Sequence, residues 1–444
     1  MQAAGEYSPA STPLHNIAHV IKRGEPMGEY HIQGGFRLGG EVRISGSKNA
    51  VLPMFAATVL NGSESILHNC PCIQDTLISI EILKQLGCTV KVEGNTVVVD
   101  SSSAYLWHIP DDFTRKMRSS VLFMGGLLGR FGKADISFPG GCKLGSRPID
   151  MHIQALAAMG CSISQDDMLR CRTENLKGTR ISLSFPSVGA TENIMLAAVL
   201  AQGETTILNA AREPEIADFE RFLNGMGANI AGAGTDTIVI RGVKELQPVE
   251  YRVMPDRIVA GTYLVAAAIT SGNVLLKDAL PADLQPVTAK LTEMGCKITE
   301  EQNRVAIKAP PRLQYLPKLE TRPHPGFPTD LQAPFAAALS LADGTSVVEE
   351  NVFNSRNGHI PELVRMGADI MELQDGRNFV IRGREKLKGS IVEATDLRCG
   401  AALIIAGLAA EGETIVTESH HVERGYECID ADLRSLGADI VHYF

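Results

Sequence analysis

Along this chain, near-continuous apolar blocks alternate with short β-branched runs and with stretches whose apolar positions recur at helical spacing. The blocks are residues 50–60, 119–128, 190–200, 258–269, 333–341 and 399–409. Each is rich in Ala, Leu and Val and apolar nearly all round, which predicts a helix buried on every side. A turn follows, usually carrying glycine (Gly62, Gly132, Gly203, Gly272, Gly344, Gly412), and then a β-branched run such as 205–208 or 414–416 that predicts a strand. Next comes an amphipathic helix, exemplified by 218–226, that ends on Leu-Gly or Met-Gly. The glycines are Gly87, Gly160, Gly227, Gly295, Gly367 and Gly437, spaced 67 to 73 residues apart, and they read as C′ caps. One or two further strands, as in 237–241, complete the unit.

Six returns at so narrow a spacing predict six copies of a β-α-β-α-β-β unit. The apolar helices need cover on all sides, so three units are expected to close into one domain, with sheets outside and helices within. Two such domains imply a cleft between them. Residues 1–26 lack an apolar core and contain Ser-Pro and Arg-Gly-Glu-Pro; they read as a flexible extension outside the fold.

Length and composition agree with a two-domain globular protein. The net charge of −9 argues against a general nucleic-acid or acidic-membrane binder, so any anion site has to be built locally. The nine cysteines show no paired CxxC spacing, and their odd number fits reduced thiols in a cytoplasm rather than a disulfide framework or zinc site. The longest apolar run, 401–410, is too short to span a bilayer. There is no GxxxxGK[ST] loop and no metal-ligand cluster, which predicts an enzyme without cofactor or metal.

The starts of the buried helices carry the chemistry. Ser, Thr and Asp there are ordinary N-caps. Lys48, Arg257 and Arg398 are not, because a cation at a positive helix end costs stability unless an anion is bound beside it. One loop stands apart: Phe138-Pro-Gly-Gly-Cys-Lys-Leu-Gly-Ser-Arg-Pro-Ile-Asp150 puts Lys143 and Arg147 close to Cys142, and cationic neighbours stabilise a thiolate.

Several motifs occur in a familiar order: Ser45-Gly-Ser-Lys-Asn-Ala50, Arg115-Lys-Met-Arg-Ser119, the Cys142 loop, Ser187-Val-Gly-Ala-Thr191, Pro255-Asp-Arg257, His324-Pro-Gly-Phe-Pro-Thr-Asp330, Asp396-Leu-Arg398 and Arg424-Gly-Tyr426. With them the chain resembles the enolpyruvyl transferases, in the branch that acts on UDP-N-acetylglucosamine, over nearly everything from Glu29 to Phe444. The Cys142 loop separates that branch from the relatives that make enolpyruvylshikimate phosphate. The resemblance implies a two-domain inside-out α/β barrel, one domain from 27–47 plus 255–444 and the other from 48–254 with the cysteine loop as a lid.

The implied reaction moves enolpyruvyl from phosphoenolpyruvate to the 3′-hydroxyl of the sugar nucleotide and releases phosphate, the first committed step of peptidoglycan synthesis. By resemblance Cys142 is the proton donor or a participant in product release and the target of fosfomycin, and Asp330 is the base. Lys48, Asn49, Arg147, Arg356, Arg398 and Arg424 match phosphoenolpyruvate-binding positions. Asn49, Arg118, Arg147, Pro148, Ile149, Asp150, Met151, Ser187, Val188, Gly189, Asp330 and Val352 match positions that bind UDP-N-acetylglucosamine. Asp396 resembles a second carboxylate close to the chemistry, or is a helix cap. His152 and His324 read as structural histidines, and Cys399 as a small core residue. The sequence departs from the family pattern at Val259, where an acidic residue is common, at Asn357-Gly358 after Arg356, and at Phe185, where some members have lysine. These departures leave open a relative with another uridine nucleotide as acceptor. A non-catalytic binder on the same scaffold is a separate reading, since fold alone does not fix function, and retention of Cys142, Asp330, Lys48, Arg398 and Arg424 together argues against it.

Overall fold

The computed structural model describes residues 28–137, 149–373 and 376–444. The extension 1–26 and most of the Cys142 loop, including Cys142, Arg147 and Pro148, lie outside the described residues.

The repeat predicted by the hydrophobic pattern is present as six four-stranded sheets. In four units the buried helix connects two parallel strands of one sheet, whereas Lys48–Ala57 runs from Gly39–Arg43 to Glu64–His68 and Arg257–Ile269 from Val249–Arg252 to Asn273–Lys277, each passing from one sheet to another. Each amphipathic helix leads to the antiparallel strands. In the unit spanning 180–241, strand Arg180–Ser182 leads through helix Val188–Ala198 to the parallel strand Glu204–Leu208. Helix Pro214–Gly225 then leads to the hairpin Asn229–Ala231 and Thr237–Arg241, which pairs antiparallel with Glu204–Leu208. The glycines predicted to cap the amphipathic helices all have positive φ, between 91° and 96°, a region that favours glycine. The repeat also extends to a detail that glycine does not mark. Asn69, Asn209, Asp278 and Glu418 each directly follow the parallel strand of their unit, and all four have φ between 53° and 61°.

The apolar helices are buried on every side, as their composition requires. In helix Arg257–Ile269 every residue after Arg257 is buried, and in Leu397–Ala409 every residue from Arg398 to Leu408 is. They form two separate cores. One is made of residues between Ala50 and Met254. The other joins Tyr30, Ile32, Leu38, Val42 and Ile44 to residues from Ile258 to Ile440. Strand Glu29–Gln33 sits between Glu413–Thr417 and Asp439–Tyr443, and strand Gly39–Arg43 pairs with Asn273–Lys277, which explains why the early residues belong to the second core.

One expected helix is divided. Residues 119–128 run as a 3₁₀ turn, Arg118–Leu122, followed by the α-helix Phe123–Phe131. The Asn193 side chain enters at the junction: its amide donates to the carbonyl of Val121 at 2.9 Å, and its oxygen accepts from the N–H of Gly125 at 2.6 Å. Those two backbone groups would otherwise bond to each other in an α-helix. Gly125 is needed for this approach, since a Cβ there would lie 2.5 Å from Asn193 Oδ1. Among the described residues no helix is long and apolar enough to cross a membrane.

Candidate active site

The starts of the buried helices supply the site. Ser47 caps helix Lys48–Ala57 and Ser187 caps Val188–Ala198 through their hydroxyls. Asp256 caps Arg257–Ile269, with Oδ1 accepting from the N–H groups of Ile258 and Val259 at 2.8 and 3.0 Å. Its Oδ2 accepts from the backbone N–H of Lys48 at 3.1 Å, so one carboxylate joins a helix of each core. Asp396 caps Leu397–Ala409 by accepting from Arg398 and Cys399 at 2.8 and 3.1 Å.

Each of the three cations at a helix start has an internal carboxylate as partner. Lys48 Nζ lies 2.7 Å from Asp75. Arg257 Nε is 2.9 Å from Glu215, and both side chains are buried. Arg398 Nη2 donates to Asp330 Oδ2 at 2.8 Å, while Arg356 Nη2 lies 2.8 Å from Asp330 Oδ1. The predicted anion sites are thus occupied by the protein's own carboxylates. For Arg257 the pair joins the two cores: Glu215 opens helix Pro214–Gly225 on one side and Arg257 opens a helix on the other.

Lys48, Arg356, Arg398, Arg424 and Asp330 come together. Arg424 Nε donates to Asp75 Oδ1 at 3.0 Å, which brings it to the carboxylate that holds Lys48. Arg398 is near enough to influence both Lys48 and Asp256 electrostatically. Burial would raise the pKa of Asp330, but Arg398 and then Arg356 outweigh it and hold the carboxyl well below the usual range. For Lys48 burial is the largest influence and lowers the pKa; Asp75 opposes it, while Arg424 and Arg398 add to it. Arg356 also donates to Thr329 Oγ1 at 2.7 Å, and Arg398 donates to the Tyr426 hydroxyl at 3.3 Å.

The positions matched to the sugar nucleotide lie at other helix starts. Ser187, Val188 and Gly189 open Val188–Ala198; Ile149, Asp150 and Met151 open helix Asp150–Ala158; Arg118 opens the 3₁₀ turn. Val352 donates its N–H to Glu350 Oε1 at 2.9 Å. His152 is buried, accepts from the Asn193 amide at Nδ1 (2.9 Å), and has a pKa lowered to about 4 by burial and then by Arg118. Of the departures, Val259 is 4% exposed within the second core, whereas Phe185 is an exposed aromatic two residues before the Ser187 cap.

Sequence reasoning missed Asp75, Glu215 and Tyr426 as members of this region. Asp75 and Glu215 each lie in the first turn of an amphipathic helix, where acidic residues are ordinary. Their partners are far away in sequence.

The sequence pattern of the EPSP synthase (3-phosphoshikimate 1-carboxyvinyltransferase) family matches residues 32–433. The UDP-N-acetylglucosamine 1-carboxyvinyltransferase 2 of Caldanaerobacter subterraneus subsp. tengcongensis is 51% identical over 416 residues, covering 94% of this chain and 99% of that protein. The UDP-N-acetylglucosamine 1-carboxyvinyltransferase of Geotalea uraniireducens is 47% identical over 92% of this chain and 98% of its own length. Among solved structures, the enolpyruvyl transferase NikO from Streptomyces tendae superposes with a TM-score of 0.84 at 26% identity, covering 94% of this chain and 99% of NikO. An EPSP synthase from Acinetobacter baumannii, at 18% identity and a TM-score of 0.72 over 94% of this chain and 100% of its own, shares the fold.

Proposed function

Since the chain belongs to the EPSP synthase family of enolpyruvyl transferases, we propose that its substrates are phosphoenolpyruvate and UDP-N-acetylglucosamine. It is a transferase: enolpyruvyl passes to the 3′-hydroxyl of the sugar and phosphate leaves, the first committed step of peptidoglycan synthesis. The observation that carries the residue assignment is the convergence of Lys48 from one core with Arg356, Arg398 and Arg424 from the other. Phosphoenolpyruvate carries two anionic groups, and two sets of cations suit it. Lys48 and Arg424, with Arg147 and Asn49, take the phosphate; Arg398 and Arg356 take the carboxylate.

The sugar nucleotide follows Asn49, Arg118, Pro148, Ile149, Asp150, Met151, Ser187, Val188, Gly189 and Val352. Its 3′-hydroxyl oxygen bonds to C2 of the enolpyruvyl group as a proton reaches C3, and Asp330 takes the hydroxyl proton. The tetrahedral adduct then loses a proton from C3 and expels phosphate, restoring the double bond. Cys142 delivers a proton or assists release, and Asp396 orients the Arg398 end of its helix beside this chemistry. The reading takes 27–47 plus 255–444 and 48–254 as its two domains, and the presence of two separate cores supports that division. A cytoplasmic site of action is part of the same reading.

The test is phosphate release from phosphoenolpyruvate with UDP-N-acetylglucosamine, UMP or shikimate 3-phosphate as acceptor. Release that depends on UDP-N-acetylglucosamine and stops with fosfomycin is expected. Release with UMP alone would re-aim the acceptor site, and no release with any of them in a protein that binds nucleotide would make it a binder.

A further inference from the structure

Asp75 belongs to none of the positions assigned above, yet it touches two of them. It lies in the first turn of helix Gln74–Gln85 and is 2% exposed. Its Oδ2 is 2.7 Å from Lys48 Nζ and accepts from Arg424 Nη2 at 3.4 Å, while Oδ1 accepts from Arg424 Nε at 3.0 Å. Lys48 opens a helix of the first core. Arg424 ends the short helix His420–Glu423, whose Val422 packs in the second core. One buried carboxylate therefore draws together two cations that come from different halves of the molecule.

We propose that Asp75 is a positioning residue for turnover: it fixes the Lys48 ammonium and aligns Arg424 beside it, so that the phosphate of phosphoenolpyruvate meets a preassembled pair of cations. This assignment rests on the proposed function. Two partly buried cations at close range repel each other, and a carboxylate between them offsets that repulsion before the substrate arrives. A rigid pair in place needs no reorganisation when phosphate charge develops on the leaving group.

The surroundings of Lys48 make the carboxylate matter for its protonation as well. Its side chain faces Asp75 from helix Gln74–Gln85, Arg424 from the end of His420–Glu423 and Arg398 from Leu397–Ala409, and its backbone N–H faces Asp256. Burial and the two guanidinium groups all favour the neutral amine, and Asp75 opposes them. Without Asp75 the amine loses its proton at lower pH.

The experiment follows phosphate release over the neutral and alkaline range for wild type, Asp75→Asn, Asp75→Glu and Lys48→Arg, with KM measured for each substrate. In Asp75→Asn the alkaline limb of the profile moves to lower pH by about one unit or more. The KM for phosphoenolpyruvate rises about tenfold while that for UDP-N-acetylglucosamine changes little. Asp75→Glu recovers the limb, and Lys48→Arg, whose charge is fixed, flattens it. An unmoved limb in Asp75→Asn, equal loss for both substrates, or no advantage of Glu over Asn overturns the assignment. Should Asp75→Asn not fold, an alkaline limb that persists unchanged in Lys48→Arg overturns it alone. A wild type that releases no phosphate overturns the proposed function and this assignment with it, an outcome distinct from a failure confined to the variants.

Discussion

Asp330 accepts a hydrogen bond from Arg398 at 2.8 Å, and it does so with its other oxygen already paired to Arg356. A carboxylate held from two sides is ionised but a weak base. For Asp330 to take a proton from the sugar hydroxyl, a guanidinium has to turn to another anion, and the carboxylate of phosphoenolpyruvate is such an anion. On the proposed roles, binding of phosphoenolpyruvate would raise the basicity that the sugar hydroxyl needs.

This relationship predicts a paired effect of Arg398→Gln. Its KM for phosphoenolpyruvate rises by about one to two orders of magnitude, with a much smaller change for UDP-N-acetylglucosamine. At the same time Asp330 loses its stronger stabilising neighbour, so the acid limb of the rate profile moves to higher pH. Steady-state kinetics with each substrate varied across the acid range measures both. Equal loss of both substrates, or an unmoved acid limb, contradicts the assignment.

The Arg257–Glu215 pair predicts a stability effect instead. Both side chains are buried, at 9% and 2% exposure, and they join helix starts of the two cores. Glu215→Ala leaves a buried guanidinium with its nearest partner removed, which costs about 3–5 kcal/mol. Urea denaturation reads this as a lower midpoint, and replacing both residues by apolar ones of similar volume recovers part of the loss. A midpoint within error of wild type would show that the pair bears little of the stability.

The repeat, its buried helices and the glycine caps were legible because each depends on local pattern. Every Leu-Gly or Met-Gly cap named from the sequence has the expected positive φ. The division of 119–128 was not legible, because it is imposed by Asn193, some seventy residues away, whose amide takes over one helical hydrogen bond. The same holds for the site. Lys48 and Arg398 stand out where a cation is locally unfavourable, whereas Asp75 and Glu215 occupy helix first turns where acids are commonplace. What they do follows from partners brought by tertiary packing, and no spacing in the chain encodes that. Val259 shows the converse: it differs from the family pattern in sequence, yet its side chain is buried in the core.

His359 predicts a pH-dependent contribution to stability. It is buried, its ring packs edge-on against Phe379 at 5.8 Å, and burial lowers its pKa to about 4, with Asp396 opposing and Arg356 adding to the shift. The folded state therefore resists a proton that the unfolded chain accepts below the ordinary histidine value of 6.5. The stability is fully present above that value and is lost as pH falls towards about 4. The loss is on the order of 3 kcal/mol. His359→Gln, which does not titrate, should show a smaller fall in urea midpoint between neutral and mildly acidic pH. An identical fall in both proteins would show that other groups, such as His152, carry the dependence.

Glu192 predicts the opposite sign. It lies in helix Val188–Ala198 at 3% exposure, and its Oε1 has no hydrogen-bond partner among the described residues. Burial raises its pKa well above the usual carboxylate value, and Glu215 and Glu213 raise it further. A carboxyl whose folded pKa is raised contributes stability at low pH and takes it away as pH rises through that pKa, since the unfolded chain ionises earlier. Glu192→Gln keeps the shape and cannot ionise. It should match wild type in solution acidic enough to protonate an unfolded glutamate, below the ordinary value of 4.5, and exceed it increasingly as pH rises from there, seen as a urea midpoint that falls less steeply with pH. If the two proteins lose stability in parallel, Glu192 is ionised in the folded state at neutral pH and has a partner there; Arg257, the cation paired with Glu215, would then be the first to test by a double-mutant cycle.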